Sequence, residues 1–83
     1  MYKNFAKELG NTVRLKREEL GISQEELAFR ANVSRGYIGM IERAERALSL
    51  KVLFQISRAL NLDFKELFSF DSLQKFTFKK NNI

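Results

Sequence analysis

Apolar residues recur every three or four positions along this chain, and the rhythm is repeatedly broken and restarted by the same polar punctuation. Phe5, Leu9 and Val13 step by four, which predicts a first helix from about Asn4 to Leu20. Gly21 follows where a helix C-cap belongs. Leu27, Ala28 and Ala31 share one face of a second helix over roughly Gln24 to Ala31. Asn32 comes next, and asparagine tolerates the left-handed backbone that a tight helix–helix turn needs. Ile38 and Ile41 face inward from a third helix between Arg35 and about Arg43. Val52, Leu53, Ile56 and Leu60 give a fourth helix its apolar side.

The restarts share a grammar. Ile22-Ser23-Gln24-Glu25-Glu26-Leu27 combines an N-cap serine, a glutamate three residues on, and a bracketing apolar pair: a capping box with a hydrophobic staple. Val33-Ser34-Arg35-Gly36-Tyr37-Ile38 repeats cap and staple, with Tyr37 in place of the box glutamate. Leu48, Ser49 and Leu53 form another cap with its staple. Leu62-Asp63-Phe64-Lys65-Glu66-Leu67 carries cap, box and staple together. The pattern predicts an all-α chain of five helices. Two of them, joined by a tight turn, have a shape that can set a rigid rod into a DNA groove.

Residues 1–69 are therefore expected to form one domain, and residues 70–83 a separate tail. In that tail Phe76-Thr77-Phe78-Lys79 alternates apolar and polar, which suggests a short strand or an extended arm. Of the eight phenylalanines, Phe54, Phe64, Phe68, Phe70, Phe76 and Phe78 lie after residue 50. A core this small does not easily take them all, so Phe54, Phe64 and Phe68 are candidates for a subunit interface. For each alone, an internal core place is the competing reading.

Composition narrows the chemistry. Eighty-three residues suit one core near the lower size limit. The chain has no cysteine and no histidine, which removes disulfides, thiolate chemistry, zinc-finger ligation and the usual general base. The acid pairs Glu18-Glu19 and Glu25-Glu26 are adjacent and do not share a helix face. With no glycine-rich phosphate loop either, neither an enzyme nor a metal or other cofactor is expected. No apolar run suggests a signal peptide or a membrane span, so a soluble, cytoplasmic protein is expected. The formal charge of +5 and pI near 9.8 suit a polyanionic partner.

Ser23-Gln24-Glu25-Glu26-Leu27-Ala28, Val33-Ser34-Arg35, Tyr37-Ile38 and Ile41-Glu42-Arg43 resemble the phage-repressor type of helix-turn-helix protein, the xenobiotic-response-element family. The resemblance spans about Leu9 to Phe68. It implies a five-helix, lambda-repressor-like domain whose third helix reads the major groove of double-stranded DNA, usually as a homodimer on a palindromic operator. Arg35-Gly36-Tyr37-Ile38, Ile41-Glu42-Arg43 and Arg46 before Leu48-Ser49-Leu50 also resemble the controller proteins of restriction–modification systems. Those are small dimers that regulate their own operon. Two departures stand out. Ala44 occupies a position where many members have glycine, so the third helix is expected to run on or to end differently. Gly36 and Gly39 replace polar side chains, so direct readout rests on fewer residues.

If the third helix enters the groove, Ser34, Arg35, Gly36, Gly39, Met40 and Arg43 face outward or lie at its rim. Arg35 is the candidate for paired hydrogen bonds to guanine, and its charge in a first helical turn opposes the helix dipole. Ser34 has a cap role that already explains it, and a base or phosphate contact competes with that. Tyr37 could offer its hydroxyl to the DNA or be purely structural, and the resemblance favours the former. Met40 would meet a thymine methyl or close the core edge. Arg43 and Arg46 lie past the helix end as phosphate neighbours. By the resemblance, Gln24 clamps the DNA backbone and Glu42 pairs internally with Arg17. A reading from another class is a protein-interaction module, an antitoxin or adaptor using the same fold. No separate domain to sense a small effector is expected.

Overall fold

The computed structural model describes residues 2–46 and 49–68. Helix α1 runs Tyr2–Glu19, α2 Gln24–Ala31, α3 Arg35–Glu42 and α4 Leu50–Ala59. The fifth predicted helix forms as a 3-10 helix, Phe64–Phe68. The count expected from the sequence is therefore corrected to four α-helices and one 3-10 turn, with no strand among the described residues. Over five residues, side-chain spacing cannot separate i+3 from i+4 hydrogen bonding. The extended arm expected in residues 70–83 lies outside the described residues.

The serine caps form where the pattern puts them. The Oγ atoms of Ser23, Ser34 and Ser49 accept from the backbone N–H groups of Glu26, Tyr37 and Val52 at 3.0, 3.1 and 3.1 Å. Each satisfies one of the four donors that a helix start leaves unpaired. The two boxes are each half made. Glu26 turns its carboxylate to Arg30, whereas Glu66 reaches back to the N–H of Asp63 at 2.8 Å.

The ends are as regular as the starts. Gly21, Asn32, Ala44 and Asn61 all have left-handed backbones, at φ +71°, +61°, +59° and +60°. After each of them the chain doubles back in the same pair of bonds. At the end of α2 the N–H of Asn32 reaches the carbonyl of Phe29 at 3.2 Å, and that of Val33 reaches Ala28 at 3.0 Å. This is the Schellman closure. The expectation that Ala44 would alter the end of α3 is overturned: Ala44 N–H bonds Ile41 at 3.0 Å and Glu45 N–H bonds Met40 at 2.8 Å. The closure forms despite the Cβ. At three joints the residue after the left-handed one is apolar, and the next is the following cap: Gly21-Ile22-Ser23, Asn32-Val33-Ser34 and Asn61-Leu62-Asp63. One residue thus follows the end of one helix and occupies the staple position of the next. Ile22, Val33 and Leu62 all pack against the core.

Leu9, Val13, Leu27, Ala28, Ala31, Ile38, Ile41, Leu53, Ile56, Leu60 and Leu67 are buried in a single cluster. Gly10 lets α1 cross α3 at backbone distance; a Cβ there would stand 2.2 Å from the Ile41 carbonyl oxygen. Gln55 on α4 donates to the Ala31 carbonyl at 3.0 Å, occupying an acceptor that the end of α2 leaves open. The buried Ser57 donates to the Phe54 carbonyl at 2.8 Å. This packing leaves the amino end of α3 at the surface.

Candidate nucleic-acid interface

The first turn of α3 is exposed and leaves its charge without an internal partner. Ser34, Arg35 and Gly36 are exposed. Among the described residues Arg35 has no hydrogen bond or ion pair, while Arg14, Lys16, Arg17, Arg30 and Arg43 each face a carboxylate. The turn holds no acidic residue. The positive end of the helix dipole and the Arg35 charge therefore add, and an anion is their complement. The amino end of α2 differs, because Glu25 and Glu26 lie in its first turn and offset the dipole.

Tyr37 is half-buried, its ring packed against the core. The Arg46 guanidinium lies over that ring at 5.1 Å from its centroid. This cation–π pair ties the loop after α3 back to its first turn. Nothing in the sequence spacing signals it, since the two residues meet only because α3 closes at Ala44. Met40 is half-buried. Arg43 is exposed and pairs with Glu45 at 3.0 Å, a contact of little energetic weight at side-chain exposures of 58% and 53%.

Two placements depart from the sequence reading. Gly39, expected outward or at the rim, is buried, and a Cβ there would come within 3.0 Å of the Arg43 guanidinium. The arginine covers it. The Gln24 amide, expected on the DNA backbone, donates to Oε1 of Glu42 at 3.0 Å. What remains free on Gln24 for an outside partner is its other N–H and its carbonyl oxygen.

Glu42 is the centre of the scaffold behind the interface. Arg17 meets it through two bonds, Nε to Oε2 at 2.8 Å and Nη2 to Oε1 at 3.2 Å. The side chains are 13% and 3% exposed. Arg17 also donates to the Ile22 carbonyl at 2.8 Å. The hydrogen bond to Glu42 and the charges of Glu42 and Glu18 outweigh burial and raise the Arg17 pKa, so it stays charged. The network joins α1, α2 and α3; the Arg17–Glu42 pair is the part of it that the resemblance implied, and Gln24 is not.

Residues 13–67 match the profile of the helix-turn-helix family, well over half of the chain. The chain belongs to that family. This helix-turn-helix protein is similar to the control protein C.BamHI of Bacillus amyloliquefaciens, at 36% identity over 74 residues covering 88% of this chain and 91% of that one. The crystal structure of the restriction–modification controller protein C.AhdI from Aeromonas hydrophila superposes with a TM-score of 0.75 at 36% identity. That match covers 76% of this chain and 96% of the other. The DNA-binding domain of the P22 C2 repressor gives a TM-score of 0.69 at 30% identity, over 72% and 79% of the two chains. Its place in the family makes the protein a DNA-binding transcriptional regulator. No described helix is long and apolar enough to cross a membrane.

Proposed function

We propose that this helix-turn-helix protein is a controller-type autoregulator that binds a palindromic operator as a homodimer, in the cytoplasm, through the first turn of α3. The observation that carries the reading is the exposed, unpaired Arg35 in the first turn of α3, followed by the half-buried Tyr37 whose ring carries Arg46. Arg35 reads a guanine edge, with Ser34 and Gly36 beside it in the same first turn and Met40 further along the helix. Tyr37, Arg43 and Arg46 hold the phosphates, and Gln24 contributes at the amino end of α2. Two α3 helices in a dimer would stand about 34 Å apart, one turn of the duplex. The second subunit is proposed to meet α4 and the 3-10 turn. There Leu50 and Phe54 are exposed, the Phe54 ring lies tilted against Phe64 at 6.2 Å, and Phe64 meets Phe68 edge-on at 5.2 Å. Phe68 in turn stacks on Phe5, so Phe64 and Phe68 serve core and rim together.

Selection of bound sites from random duplex DNA tests the reading. The expected result is a two-fold symmetric motif whose binding weakens steeply with salt. Arg35→Ala should lose roughly 1–3 kcal/mol of discrimination at one guanine of each half-site. Binding that ignores both salt and sequence would overturn the proposal.

A further inference from the structure

Three of the four glycines have a reason within the protein. Gly10 allows a helix crossing, Gly21 has a left-handed backbone, and Gly39 lies beneath the Arg43 guanidinium. Gly36 has none. It is exposed in the first turn of α3, its backbone is not left-handed, and a Cβ there would meet nothing within 4 Å. Alanine would fit and is the better helix former. Neither conformation nor packing therefore explains the missing side chain.

We propose that Gly36 is where the backbone of α3 touches the floor of the major groove, its Cα lying against the 5-methyl group of a thymine. The inference rests on the DNA-binding reading above. Gly36 stands between Arg35, an unpaired cation, and Tyr37, whose ring carries Arg46. Lacking a Cβ, it lets the flanking side chains reach one side chain's depth further in. A bare Cα is an apolar surface, and the thymine methyl is the apolar group that the major groove presents. Gly36 thus sets both the seating depth of α3 and a preference for thymine at one position of each half-site.

The test uses the duplex recovered by selection with the wild-type protein, together with Gly36→Ala and Gly36→Ser. Both variants should melt at or above the wild-type temperature, showing that the fold is intact. Both should bind that duplex roughly tenfold more weakly. Deoxyuridine is then substituted for each thymidine in turn, which removes only the methyl group. Wild type should lose roughly fourfold in affinity at one thymidine per half-site, the worth of one buried methyl, and Gly36→Ala should lose nothing there. Wild-type affinity in both variants overturns the inference, as does the absence of any methyl-sensitive position. The DNA-binding reading survives either result, because it is judged by the selected motif and its salt dependence. Failure to recover any motif overturns both.

Discussion

Glu42 shows how much a single side chain can organise. It takes two hydrogen bonds from Arg17 and one from Gln24, and only 3% of its side chain is exposed. Removing one partner of such a pair leaves a charge without compensation, at a cost of about 3–5 kcal/mol. A domain of this size has a total stability of roughly 5–15 kcal/mol. Glu42→Ala should therefore melt well below wild type, and be unfolded outright if the stability lies at the low end of that range; a wild-type melting curve would refute that. Arg17 places no alkaline limit on the pair in ordinary buffers. Its pKa is raised in the folded protein, so its contribution is complete below the usual guanidinium range. It is lost only as pH climbs through the shifted value.

At the scale of elements, the helix ends carry one avoidable strain. Gly21 takes the left-handed region freely and the two asparagines tolerate it, but Ala44 holds φ +59° with a Cβ. Ala44→Gly should stabilise the protein by about 1 kcal/mol. That corresponds to a melting temperature raised by roughly 4–8 °C. An unchanged or lower midpoint in calorimetry would contradict it. The helix starts were legible in the sequence because caps and staples are local: Ser23, Ser34 and Ser49 announce themselves within six residues. The closure at Ala44 was not legible, because tertiary packing of Ile38 and Ile41 sets where α3 stops and overrides residue preference. Of the interface, the exposure of Arg35 followed from the inward demand of those isoleucines. The burial of Gly39 and the turn of Gln24 toward Glu42 depend on where long side chains fold back, which spacing does not encode.

For the whole molecule, the exposed apolar row on α4 bears on assembly. Phe54 is 52% exposed and Leu50 72%, one turn apart on one face, with the Arg58 guanidinium 5.9 Å from the Phe54 ring. Paired exposure of this kind marks an association surface better than a lone residue does. Phe54→Lys should sediment as a monomer at concentrations where wild type is a dimer, with nearly unchanged secondary structure. A monomeric wild type over the same series would refute the assignment. The joints between helices bear on what happens when such an assembly meets a duplex. Ile22, Val33 and Leu62 each stand between two helices and pack on the core, so none of these three joints can swivel without loosening the elements on both sides of it. Where the operator and the proposed pair of α3 helices are out of step, the adjustment falls to the nucleic acid. Flexible base steps between the half-sites would then influence affinity without being touched.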